Sequence, residues 1–122
     1  LAPAPVDRHK VLEILVNVIQ NARQAMDDAA QQDPCLELSI ERRGSDRVAI
    51  AVRDNGVGID PENLAKIFNH GFTTKRNGHG FGLHSAANSA GELGGCLTAT
   101  SAGAGSGAEF VLEFPFGAAQ AA

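Results

Sequence analysis

Two stretches of strict apolar–polar alternation constrain this chain more than anything else in it. Leu36-Glu37-Leu38-Ser39-Ile40-Glu41 and Val48-Ala49-Ile50-Ala51-Val52 flank a Gly44-Ser45-Asp46 turn. Period-two alternation sends successive side chains to opposite faces, so the pair reads as an antiparallel hairpin with one face buried. Such a face needs a covering layer, and the residues before it supply one. Val11, Leu12, Leu15, Val16, Ile19, Ala22 and Met26 recur with helical spacing. Asp7 is a suitable N-cap, so one long amphipathic helix is expected from Asp7 to about Ala30.

The rest of the chain continues the same pattern. Pro61 suits the first turn of a short helix capped by Asp60 and running through Leu64 to Phe68. Leu83 to Leu93 reads as another helix, stopped by Gly94 and Gly95. Cys96 to Ser101 and Glu109 to Phe114 alternate as a closing pair of strands joined by Ala102 to Ala108. The expected fold is α+β, a two-layer sandwich: a mixed, mostly antiparallel sheet with about three helices on one face. The domain is expected to run over residues 7–116. Leu1 to Val6 would be a Pro-rich linker remnant, and 117–122 a frayed, disordered tail.

Composition excludes several classes of function. At 122 residues the chain is one domain, and 43% hydrophobic with 20% charged residues is ordinary for a soluble globular protein. No apolar run is long enough to span a bilayer, and no signal-peptide pattern opens the sequence. A net charge of −4 argues against a nucleic-acid surface. Cys35 and Cys96 stand apart without a ligand cluster, so they read as free thiols in a reducing compartment, or as a bridge if folding brought them together. The opening Leu-Ala-Pro-Ala-Pro, with Met26 as the only methionine, reads as a fragment of a longer protein.

Three further features carry chemistry. Asn17, Asn21 and Gln24 lie at i, i+4 and i+7 on the long helix, although Asn is a poor helix-interior residue. A solvated polar face and a ligand-facing row both fit that pattern. The second strand of the hairpin runs straight into Asp54-Asn55-Gly56-Val57-Gly58-Ile59. Asp54 is then either an ordinary tight-turn residue or a carboxylate under a backbone that two glycines let run close. Gly78-His79-Gly80-Phe81-Gly82-Leu83 opens a helix, where converging N–H groups and the helix dipole favour an anion such as phosphate. It is neither a Walker loop, since no Gly-Lys occurs, nor a dinucleotide fingerprint, whose third glycine falls one place later. Gly103, Gly105 and Gly107 repeat the GxGxG spacing, but between strands, where a turn is the better reading.

Taken in order, Asn17-Val18-Ile19-Gln20-Asn21-Ala22, Asp54-Asn55-Gly56-Val57-Gly58-Ile59, Ile67-Phe68 with Phe72-Thr73-Thr74-Lys75, and Gly78-His79-Gly80-Phe81-Gly82-Leu83 form a specific set. The chain resembles the ATP-binding catalytic domain of sensor histidine kinases, in the superfamily shared with gyrase, MutL and a heat-shock chaperone, over nearly its whole length from Asp7 to Pro115. The resemblance implies a Bergerat-type fold and an ATP and Mg²⁺ site. Asp54 would accept a hydrogen bond from the adenine amino group, with a water held near Gly58; Gly56, Ile59, Phe68 and Leu83 would line the nucleotide. Asn21 would ligate Mg²⁺, while Asn17 and Gln24 face the same phosphates. Gly78, Gly80 and Gly82, with His79 and Phe81, would wrap the phosphates. Lys75 would reach the γ-phosphate, or else be a solvated loop lysine.

The implied activity is histidine kinase: transfer of the γ-phosphate to a histidine on a separate domain of the same protein or of its dimer mate, and onward to a response regulator. The implied setting is cytoplasmic, the domain alone monomeric and the longer protein a homodimer that binds no nucleic acid. An anti-sigma-factor-type serine/threonine kinase and a nucleotide-binding regulatory module without transfer activity use much the same motifs. Several residues depart from the family pattern. Asn17 stands where vigorous ATPases carry a water-activating Glu, which favours transfer over hydrolysis. Gln24 stands where many relatives carry Lys or Arg, and Ala108 where a Thr two residues before the aromatic is usual, with Ser106 a possible replacement. His84 has no counterpart among the usual small or polar residues. His70, His79 and His84 match no standard metal spacing, and His9 lacks the acidic residue and proline that follow a phospho-acceptor.

Overall fold

The computed structural model describes residues 8–30, 32–68, 82–103 and 105–115. Asp7, His70, Lys75, Gly78, His79, Gly80 and Phe81, together with the linker and tail assigned from sequence, lie outside the described residues. The elements are α1 (Arg8–Asp28), β1 (Leu36–Arg43), β2 (Arg47–Asp54), α2 (Pro61–Leu64), α3 (Gly82–Glu92), β3 (Cys96–Thr100) and β4 (Ala108–Pro115). Asp60 takes the N-cap position of α2 with Pro61 behind it, but its side chain makes no capping bond and the helix ends at Leu64. The expected helical run to Phe68 is replaced by turn after Leu64.

The strands form a four-stranded sheet in the order β1-β2-β4-β3. All three pairings are antiparallel. The register aligns Ile50 with Leu112 and Val52 with Phe110, so alternate residues of β2 and β4 meet on one face. That face is covered by α1 and α3. Ile14, Val18 and Ala22 of α1 and Ala86 and Ala90 of α3 join Ile50, Val52, Leu97, Phe110, Leu112 and Phe114 in one core. Ala22, Ala86 and Ala90 are fully buried; such small side chains let α1 and α3 approach closely. Lys10 of α1 pairs with Glu92 of α3 at the rim. The opposite face of the sheet is solvated and carries charge pairs, among them Arg47 with Glu113 at 2.9 Å and Arg53 with Glu109 at 3.7 Å.

The two-layer α/β sandwich expected from the periodicities is present. The hairpin, however, is not buried along both strands. β2 supplies the core, whereas β1 is an edge strand whose Leu38 and Ile40 are 51% and 73% exposed. Leu12 and Val16 of α1 are exposed too. The helix layer centres on β2 and β4, and alternation specifies which face a residue takes without specifying whether that part of the face is covered.

Candidate functional site

β2 ends in Asp54, whose position continues the core-facing set of Ile50 and Val52. Its carboxyl group is therefore carried under the helix layer and is only 4% exposed. Oδ1 accepts the Gly56 N–H at 2.8 Å, closing a tight turn. Oδ2 is buried and meets no hydrogen-bond partner among the described residues. Burial pushes the carboxyl pKa up, with the backbone N–H groups of Gly56 and Ala108 pulling back against it. A buried oxygen of this kind is costly unless something donates to it, which makes it an acceptor suited to an N–H donor from a ligand.

The turn after Asp54 is held from three directions. On one side it abuts α1. The Val57 N–H donates to the Ala25 carbonyl at 3.1 Å. A methyl added at Gly56 would lie 2.5 Å from the Ala25 carbonyl carbon. On another side it meets the loop between β3 and β4. The Gly105 N–H reaches the Val57 carbonyl at 2.5 Å and the Gly107 N–H the Gly56 carbonyl at 3.2 Å. Gly58 has φ +77°, and a side chain there would fall 2.0 Å from the Gly103 carbonyl oxygen. The third hold is Asn55, whose Oδ1 accepts the Cys35 N–H at 3.0 Å while its Nδ2 donates to the Asp33 carbonyl at 2.9 Å. The glycines of this turn thus answer first to protein backbone pressing on them.

Ser101, at the end of β3, is a participant that sequence reading missed. Its Oγ accepts the N–H of Ile59 at 3.0 Å and of Gly103 at 3.2 Å, and donates to the Gly107 carbonyl at 2.7 Å. One hydroxyl therefore ties the Asp54 turn to the Gly103–Gly107 loop. Ser106, the hydroxyl considered from sequence, is exposed. Ala108 is the ladder partner of Asp54 and is buried. The signal for Ser101 was weak: a polar residue closing a strand, with no spacing that linked it to residue 59.

On α1, Asn17, Asn21 and Ala25 form an i, i+4, i+8 row. Ala25 touches the Asp54 turn, so the half-buried Asn17 and Asn21 extend away from that turn along the same side of the helix. Gln24 does not join them: its Nε2 donates to Asp28 Oδ1 at 2.9 Å, one turn on. Phe68 packs edge-to-face on Phe110, ring centres 6.2 Å apart. Ile59 and Leu83 are partly buried against the core. Gly82 begins α3, an eleven-residue helix whose N-terminal end carries the positive end of its dipole. The structure thus sets Asp54, Gly56, Gly58 and Ile59 in one turn against Ala25 of α1, and Phe68 against Phe110 and the first turn of α3. Among the described residues no group of three or more His, Cys, Asp or Glu side chains could hold a metal. Cys35 and Cys96 are free and exposed. No helix among the described residues is long and apolar enough to cross a membrane.

The fold is a two-layer α/β sandwich that carries a buried carboxyl oxygen, without a partner among the described residues, at a strand end beside a clamped glycine turn. Residues 6–118 match the model of the histidine kinase-, DNA gyrase B-, and HSP90-like ATPase family, and the chain belongs to that family. It is 33% identical over 114 residues to a probable C4-dicarboxylate sensor kinase of Bacillus subtilis, covering 93% of this chain and 21% of that protein. It is 34% identical over 109 residues to the sensor histidine kinase ZraS of Salmonella typhimurium, covering 89% of this chain and 22% of that protein. The chain thus spans about a fifth of the length of these relatives. Among solved structures, the mycobacterial sensor histidine kinase MprB superposes with TM-score 0.80 at 19% identity, over 90% of this chain and 74% of that one. Full-length ShkA in complex with AMPPNP superposes with TM-score 0.79 at 28% identity, over 95% of this chain and 24% of that one.

Proposed function

We propose that this chain is the ATP-binding catalytic domain of a sensor histidine kinase, which donates the γ-phosphate of ATP to a histidine on a separate domain, from which a response regulator is served. The observation that carries the reading is the buried Asp54 carboxyl with Oδ2 unpartnered among the described residues, set in a turn that the fold holds rigidly. The adenine amino group is a neutral N–H donor of the kind such an oxygen requires, and a ligand lacking one would leave the oxygen unmatched. Family membership and the sensor-kinase relatives support the same reading.

From the adenine at Asp54 the nucleotide would run past Phe68 toward the start of α3, where the helix dipole favours its phosphates. Asn21 offers a carboxamide oxygen, a hard donor that suits Mg²⁺, an ion that keeps several waters and takes its other ligands from phosphate. When bound, Mg²⁺ would neutralise charge on the phosphate oxygens. Asn17, one turn earlier, would orient the phosphates without activating water, so the chain's own residues bind and align rather than hydrolyse. Lys75 and the Gly78, His79, Gly80, Phe81 run would close around the γ-phosphate end.

Calorimetry with Mg-ATP and Mg-GTP tests the binding step: ATP binds and GTP, which has a carbonyl where adenine carries its amino group, does not. Equal affinity for the two would remove Asp54 as the selector. Mixing the chain and [γ-³²P]ATP with a paired histidine domain should give a phosphoprotein that is labile in acid and stable in base. An acid-stable product would assign a serine or threonine acceptor instead.

A further inference from the structure

His84 belongs to none of the nucleotide contacts above, yet both of its ring nitrogens are engaged near the start of α3. Its ring is partly buried on the first turn of the helix. Nδ1 lies 3.0 Å from the Phe68 carbonyl oxygen, and Nε2 lies 3.2 Å from Nδ2 of Asn88, one turn further along α3. A carbonyl can only accept, so Nδ1 carries the proton; an amide nitrogen can only donate, so Nε2 accepts. One neutral tautomer satisfies both bonds, and Asn88 holds the ring in the orientation that serves Phe68.

Phe68 is the last described residue before the glycine-rich stretch and Gly82 the first after it. Among the described residues, the His84 ring bonds the start of α3 to the Phe68 backbone. Phe68 in turn packs edge-to-face on Phe110, and Phe110 is the ladder partner of Val52, two residues before Asp54. A chain of direct contacts therefore runs from the N-terminus of α3 through His84, Phe68 and Phe110 to the strand that carries Asp54. Its two ends are the phosphate end and the adenine end of the site proposed above.

We infer that His84 is a positioning residue, which fixes the N-terminus of α3 at a set distance from Asp54 so that one ligand can engage both. The inference rests on the nucleotide reading. It does not make His84 a ligand contact or a phosphoryl acceptor, since both ring nitrogens are already engaged. A ligand confined to the Asp54 end would not sense the loss of His84. A ligand that spans both ends would.

The test uses the 122-residue chain and three variants, with Mg-ATP and adenosine as probes. Binding is followed by calorimetry for ATP and by NMR titration for adenosine. His84→Leu keeps the bulk and removes both bonds. His84→Asn places an amide nitrogen where Nδ1 stands and so retains the bond to Phe68. Loss of one hydrogen bond corresponds to about tenfold in affinity. His84→Leu should therefore weaken Mg-ATP about tenfold while adenosine stays within about twofold, and His84→Asn should recover most of the ATP loss. Asn88→Ala, which frees the ring without removing it, should give a smaller loss of the same kind, and it carries the test should the leucine variant not fold.

Unchanged ATP affinity in His84→Leu would overturn the inference. So would equal losses for ATP and adenosine, the signature of a merely structural residue, or a failure of His84→Asn to recover ATP binding. If the parent chain binds neither probe, the nucleotide reading itself falls, which is a separate outcome from any of these.

Discussion

Asp54 and Ala108 face each other across the β2–β4 ladder, both buried, and the partner that stands beside the carboxyl group is a methyl. Directly opposed side chains in a sheet have Cβ atoms about 5 Å apart, within reach of a hydroxyl. Ala108→Thr would bring such a hydroxyl to Asp54. It should stabilise the ligand-free protein by about 1 kcal/mol at neutral pH, the net worth of one hydrogen bond. It should also lower the Asp54 pKa. Denaturant midpoints and a carboxyl-resolved NMR titration would check this, and a variant less stable than the parent at every pH would show that the site has no room for the added group.

The raised pKa of Asp54 gives stability a definite sign. The folded carboxyl holds its proton to higher pH than the unfolded one. Its contribution is therefore fully present below the ordinary aspartate value, about 4, and is lost as pH rises through the raised folded value. Asp54→Asn cannot ionise and should lack this decline, leaving the ligand-free variant no less stable than the parent at neutral pH. The same substitution should abolish ATP binding, because the amide presents a donor where adenine also donates. In the parent, ATP affinity should fall as pH drops through the raised value. Stability curves of the two proteins that run parallel across this range would refute the assignment.

Gly56 and Gly91 separate a glycine that is needed from one that is not. A methyl at Gly56 would lie 2.5 to 2.8 Å from three atoms of Ala25, two of them backbone, whereas one at Gly91 meets nothing within 4 Å. Gly56→Ala should cost about 1–3 kcal/mol by forcing α1 and the turn apart. Gly91→Ala, exposed in the last turn of α3, should stabilise by up to about 1 kcal/mol. Thermal denaturation of both variants tests the contrast, which fails if the two shift in the same direction.

Ser101→Ala would strip an acceptor from the Ile59 and Gly103 N–H groups and a donor from the Gly107 carbonyl. The expected loss is about 1–3 kcal/mol. Faster hydrogen exchange should be confined to residues 57–59 and 103–107. Uniformly faster exchange over the domain would mean that Ser101 supports the fold at large and not this loop pair.

The strands and helices were legible because their periodicities are local. β4 was placed to within one residue at each end, and α3 likewise. The placement of Asp54 at the end of β2 and of Asn17 and Asn21 along one side of α1 was legible for the same reason. What escaped depends on where segments meet. The exposure of Leu38 and Ile40 follows from β1 being an edge strand, and sheet order is not written in alternation. Ser101 matters through Ile59, 42 positions away along the chain. Gln24 was grouped with the two asparagines by spacing, but Asp28 sits on the next turn and claims its amide. His84 was visible only as a departure, because its distant partner is the Phe68 backbone carbonyl, which no side-chain pattern can advertise.

The grip on the Asp54 turn carries one more implication. Its holds come from α1, from the loop at Asp33–Cys35 and from the β3–β4 loop, which lie at the beginning, the first third and the far end of the domain. No excised hairpin or half-domain retains them all, so the acceptor acquires its shape only when the entire sandwich has closed. Ligand occupancy then reports completion of folding, and a saturating ligand raises the unfolding free energy of every element at once by RT ln(1 + [L]/Kd). A lesion at either rim of the sheet, remote from any ligand atom, should be felt at Asp54 as surely as one beside it.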